Sequence, residues 1–182
     1  MIFGDLETTG LIKPEANDLK NQPYITEIYL VKLNYNDETD EFEYVDEFDT
    51  LVKPPIPISD EITKITGITD DMLRLAPSFQ TIYPKLCEFF LGERVFVAHN
   101  VFFDLGVIKF ELMRMEKEFQ FPWAYKPLCT VEASMPLFHK RMKLVQLHEH
   151  YYGVPIEGAH RARSDVEALV RVYQGLKRDG LV

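Results

Sequence analysis

Cysteine is nearly absent from this sequence, with only Cys87 and Cys129 among 182 residues. The two lie far apart, outside any C-x-x-C pattern and beside apolar neighbours, so nothing asks for a disulfide and buried thiols in a reducing compartment are expected. Long apolar runs are missing too. No stretch approaches the roughly 18 uninterrupted apolar residues of a membrane span, and the chain opens on what reads as a core strand instead of a charged-then-apolar leader. A soluble, unprocessed, cytoplasmic protein with no membrane partner is the expectation. Positive charge is in short supply: 20 Lys and Arg against 29 Asp and Glu give a net charge of -9. That sign argues against an extended duplex-binding surface held by a broad electrostatic footprint. Internal repeats and low-complexity tracts are lacking. The nearest thing to a charge run, the acidic segment 34–40, reads as a solvated turn.

A hydrophobic share of 46% over 182 residues fills one core and leaves too little chain for two ordinary domains. Residues 1–182 therefore read as a single domain. Met1 to Leu6 reads as a short strand closed by Thr8, Thr9 and Gly10, and Lys13 to Pro23 as a mobile polar loop. Ile25 to Leu33 and Phe42 to Val52, rich in β-branched and aromatic residues, read as a hairpin. Pro54, Pro55 and Pro57 stop its second arm, and Ser59 and Thr69 can cap two short helices separated at Gly67. Apolar positions from Phe79 to Phe90 recur at helical spacing. Arg94 to Ala98 reads as a buried strand, followed by a helix with Phe103, Val107, Ile108 and Leu112 on one face. Lys126 to Thr130 is a fifth strand, ahead of short helical pieces and a final helix carrying Val166, Leu169 and Tyr173 inward. Three strands first, then strands alternating with helices, predict an α/β fold with a five-stranded mixed sheet flanked by helices.

Asp5 and Glu7 are two apart at the end of the first strand, so both leave one face while Leu6 points to the other. Converging carboxylates suit hard cations such as Mg²⁺ or Mn²⁺. Asp104 starts the helix after the buried strand ending in His99 and Asn100. If that strand neighbours the first, Asp104 comes near the same strand ends, where open α/β sheets place their sites. Asp165 is the fourth acid, with His160 five residues earlier, and on a continuous helix the two would lie roughly 140° apart. Ser164-Asp165-Val166-Glu167 has the form of a capping box. That would start the helix at Ser164 and leave His160 on the preceding loop. These parts suit phosphodiester hydrolysis by two metal ions about 4 Å apart. His160 would be the general base, because histidine ordinarily titrates near neutrality. Two bound cations would also offset the four acids, so the negative net charge does not oppose a protein that grips only a strand end.

The pattern resembles the DEDDh branch of the DnaQ-like exonucleases over nearly the whole chain. Asp5-Leu6-Glu7-Thr8-Thr9-Gly10 looks like the first family motif, His99 through Asp104 like the second, and His160 through Asp165 like the third, in the family order. Weaker matches are Thr26-Glu27-Ile28, Ile65-Thr66-Gly67-Ile68 and the stretch Leu144 to Gly153. The resemblance implies a ribonuclease H-like fold, metal ligation by Asp5, Glu7, Asp104 and Asp165, His160 as base, and 3′-to-5′ polarity. It further implies that Leu11 and Ile65 pack against terminal bases, that Asn100 and Phe103 line the scissile nucleotide, and that Thr8 meets its 3′ end. The implied cofactor is Mg²⁺, two ions, with Mn²⁺ able to substitute. The implied ligands are 3′ ends of single-stranded nucleic acid, with a replication or repair protein as the partner class. A sister branch places tyrosine where Arg161 stands, so the histidine branch is the one matched. Thr66 replaces a histidine common in the proofreading subunits, and the loop from Leu11 to Tyr24 is longer than in many relatives. The motifs favour single-stranded or frayed DNA, with an exoribonuclease as the alternative.

Taken alone, an Asp-x-Glu at a strand end carries little, since exposed acids there are common. His99 reads as a polar residue satisfying a strand-to-helix turn, and His148 and His150 as surface residues. The basic run His139-Lys140-Arg141, with Lys143 beyond it, could meet backbone phosphates or form a solvated loop. Arg161 and Arg163 have a better claim through proximity to His160, and pairing with a local acid would account for Arg163 equally. Pro122, Trp123 and Tyr125 read as a loop anchor ahead of a base-stacking platform. A haloacid dehalogenase-type phosphatase fails because Glu7 replaces the second aspartate of that nucleophile loop. A non-catalytic module is disfavoured by the intact set of five residues.

Overall fold

In the computed structural model, which describes every residue except Asn17, Asp37 and Asp40, β1 (Ile2–Thr8) runs through the middle of one five-stranded sheet. It pairs antiparallel with β2 (Ile25–Asn36), which pairs antiparallel with β3 (Glu41–Leu51). On its other side β1 pairs parallel with β4 (Val95–Ala98), and β4 parallel with β5 (Lys126–Cys129). The order β3-β2-β1-β4-β5 is the mixed sheet that the sequence predicts. Asp37 and Asp40 of the expected hairpin turn lie outside the described residues.

Period-two alternation sends successive β1 side chains into two different layers. Ile2 and Leu6 join a core under α3 (Phe79–Phe90) and α4 (Val101–Arg114), with Leu86, Phe90, Phe96, Ile108 and Leu112. Phe3 joins Tyr29, Val97, Val166, Leu169 and Tyr173 beneath the last helix, α7 (Ala162–Arg178). Gly4 sits where a Cβ would come within 2.5 Å of Leu30 and 2.8 Å of Phe96. Only glycine lets the flanking strands pack this closely across it.

The short helices α1 (Asp60–Thr66) and α2 (Asp70–Leu73) begin as their caps dictate: the Ser59 hydroxyl accepts from Ile62 N–H and the Thr69 hydroxyl from Met72 N–H. Gly67, at φ 72°, ends the first. α5 (Thr130–Phe138) and α6 (Leu144–Tyr152) complete the chain ahead of α7. Among the described residues no helix is long and apolar enough to cross a membrane.

Two expectations need correction. The described residues of the segment Lys13 to Pro23 are bonded to one another and to α4. Gln22 bonds the backbone of Lys13 and Ala16, and Arg114 donates to the carbonyls of Leu19, Gln22 and Pro23. And α7 begins at Ala162, two residues before the expected capping box, for a reason that lies in the site.

Candidate active site

The alternation that buries Phe3 under α7 also turns Asp5 and Glu7 toward α7. Asp165, in the first turn of that helix, meets them: one carboxylate oxygen from each of Asp5, Glu7 and Asp165 lies within 4.8 Å of the others. Asp104 is the acid whose charge acts most strongly on Asp5. It belongs to α4 in the opposite layer and is 2% exposed, close enough to raise the Asp5 carboxyl by its charge. Of the four expected ligands, Asp5, Glu7 and Asp165 bring oxygens within 4.8 Å of one another, and Asp104 is near enough for its charge to act on Asp5 and Glu7.

The group is electrostatically loaded. Burial first, then the charges of Asp104, Asp165 and Glu7, push Asp5 well above the ordinary carboxylate range. Burial, with Asp165 and Glu27, pushes Glu7 up to about 8. Burial takes Asp104 up to about 8 against the opposing pull of backbone N–H groups, including that of Leu6. Asp165 is raised by burial, although the backbone N–H of His160 donates to it at 3.1 Å. Clustered oxygen donors that resist ionisation fit a divalent cation, which would relieve their repulsion.

His160 is exposed and held at φ 67°, a left-handed conformation that non-glycine residues adopt only when neighbours enforce it. The two residues directly after it are held by β2. Glu27, 5% exposed, accepts Arg161 Nη2 at 2.6 Å, Arg161 Nε at 3.1 Å and Ala162 N–H at 3.1 Å. This strand carboxylate replaces a local cap, so α7 starts at Ala162. Sequence reasoning missed Glu27 as a site residue. The available signal was a lone carboxylate within an apolar strand, directly across from Glu7 in the register.

The remaining expected site residues divide. Leu11 is 77% and Ile65 48% exposed, both free to meet a ligand. Asn100, at φ 72° just ahead of α4, accepts Arg141 Nη2 on its Oδ1 at 3.1 Å. Phe103 packs partly into the core under α4. Thr8 is buried and its hydroxyl donates to Gly10 O at 2.7 Å, shaping the turn. His99 is the turn-satisfying residue expected: Met142 O accepts from its Nε2 at 3.1 Å, and Nδ1 pairs with the Thr130 hydroxyl at 2.9 Å. Burial pushes it down to about 4, so it is neutral at pH 7. His148 departs from expectation, being 3% exposed, bonded to Val154 O and stacked on Tyr152. Arg163 pairs with Glu47 and Asp49 of β3. Trp123 packs edge-on against Phe121, as an anchor would, whereas Tyr125 stands exposed.

The sheet order, the helices on both faces and the acids at the end of β1 define a ribonuclease H-like nuclease fold. The exonuclease family RNase_T matches residues 2–173, and the chain belongs to that exonuclease family. It is 36% identical over 172 residues to a PolC-type DNA polymerase III of Clostridium perfringens, covering 93% of this chain and 11% of that protein. A PolC-type polymerase of Staphylococcus aureus is 30% identical over 183 residues, with 98% of this chain and 12% of that protein covered. The chain thus spans about a tenth of the length of these relatives. Among solved structures, the nuclease domain of 3′hExo, a DEDDh family member bound to rAMP, superposes with a TM-score of 0.72 at 21% identity, covering 99% of this chain and 92% of that one. Exonuclease X in complex with 5′ overhanging duplex DNA superposes with a TM-score of 0.67 at 22% identity, covering 98% and 91%. Both share the fold.

Proposed function

We propose that this chain hydrolyses the 3′-terminal phosphodiester of single-stranded or frayed DNA and releases nucleoside 5′-monophosphates. The observation that carries this reading is the convergence of Asp5, Glu7 and Asp165 within 4.8 Å, beside a cleft that His160 lines. Asp5, Glu7, Asp104 and Asp165 would hold two Mg²⁺ ions, or Mn²⁺ in their place. When bound, such ions supply positive charge to phosphoryl oxygens and acidify water. His160, exposed at the cleft with its backbone tied to Asp165, takes the proton of the attacking water. Leu11 and Ile65 offer apolar surface to the terminal bases, Asn100 and Phe103 line the scissile nucleotide, and Thr8 meets its 3′ end.

The preference for DNA draws on the PolC-type relatives, which are DNA polymerases, and the same likeness makes a replication or repair protein the fitting partner. Matched DNA and RNA oligonucleotides, incubated separately with the protein and Mg²⁺, test the substrate. Faster shortening of DNA supports the reading, and faster shortening of RNA makes the chain an exoribonuclease. No shortening of either with Mg²⁺ or Mn²⁺ overturns it.

A further inference from the structure

We infer that Arg141, with Lys143 beside it, binds a backbone phosphate of the nucleic acid strand next to the scissile one; this rests on the exonuclease reading above. The cations around the acidic site fall into two groups. Arg161 is committed to Glu27, and Arg163 to Glu47 and Asp49. Among the described residues, Lys140, Arg141 and Lys143 have no carboxylate partner. Arg141 and Lys143 nevertheless line the same cleft as His160 and Asp165, a cavity of about 530 Å³ and so within the range of ligand pockets.

Arg141 is also aimed. Its Nη2 donates to Asn100 Oδ1 at 3.1 Å, and Asn100 is fixed by its left-handed backbone at the start of α4. That bond uses one of the five donors of a guanidinium and orients the rest. A planar fork of N–H groups matches two oxygens of a phosphate, whereas a lysine offers only a point charge. A positioned cation without a protein anion, opening on a cleft shared with the general base, suits a phosphodiester.

The test uses single-stranded oligodeoxynucleotides in which one linkage at a time, counted from the 3′ end, is a neutral methylphosphonate. Arg141→Gln is expected to lower kcat/KM about tenfold on the ordinary strand, mainly through KM. The slope of log binding against log salt should fall by about 0.7. Arg141→Lys should keep the slope and recover only part of the affinity. On the strand whose contacted linkage is neutral, wild type and Arg141→Gln should become equal, while strands neutralised elsewhere preserve the difference. A loss of the same size on every strand, or no loss at all, overturns the subsite. Binding of the same strands, followed by fluorescence anisotropy with Ca²⁺, reads the subsite without turnover. Wild type that binds with this phosphate dependence yet never shortens a strand would sink the exonuclease reading and leave the subsite standing.

Discussion

His160 shows how much one residue's chemistry depends on its support. The residue is exposed, so His160→Ala removes the proposed base without opening the core. The variant is expected to lose about 10²- to 10⁴-fold in kcat with an unchanged urea midpoint; a loss below tenfold would remove His160 from the base role. The shared face of Asp5 and Glu7 was legible in the sequence because residues two apart on one strand point the same way, and Asp165 because it stands in motif order. Glu27 was not. Its function is to be bonded by Arg161 and Ala162, more than 130 positions away, and nothing local in β2 announces that partnership. Asp104, on α4, acts by its charge on Asp5 and Glu7, a proximity set by how α4 packs on the sheet.

At the scale of elements, the clamp between β2 and the start of α7 should act on the reaction through His160. Glu27→Gln is expected to lower kcat about 10²-fold, because small misplacement of a reacting group is that costly. The substitution should add almost nothing to His160→Ala, since both remove the same contribution. Multiplying losses in the double variant would show that Glu27 acts by another route. β1 makes a separate prediction about stability. Gly4→Ala must push Leu30 and Phe96 apart and should cost about 1–3 kcal/mol in urea unfolding; an unchanged midpoint would contradict this packing. The caps at Ser59 and Thr69 could be read from sequence because each bonds an amide three residues on. The α7 start could not, because its cap comes from another strand.

For the molecule as a whole, the acid cluster sets how stability depends on pH. Burial first pushes Glu7 and Asp104 up to about 8 in the folded protein, against the ordinary carboxylate value of about 4 when unfolded. Folding therefore takes up protons between those limits. The stabilisation from these groups is full below about pH 4 and is lost as pH rises through about 8. In EDTA the Tm should fall from about pH 6 to about pH 8.5. Mg²⁺ should raise it, most at the alkaline end, with release of protons. A Tm indifferent to Mg²⁺ at every pH would contradict a metal site here. The five-stranded mixed sheet was legible because a hairpin followed by alternating strands and helices leaves few ways to build one sheet; the strand order came from the structure. Substrate class was not, since the choice between sugars depends on pocket shape.

The most direct test is digestion of one 5′-labelled single-stranded oligonucleotide, in Mg²⁺ or in EDTA, by the wild-type chain and by Asp5→Ala and His160→Ala. The account predicts a ladder growing shorter from the 3′ end for wild type with Mg²⁺, absent in EDTA and in Asp5→Ala and nearly absent in His160→Ala. Shortening that survives EDTA, or that Asp5→Ala leaves intact, would contradict it.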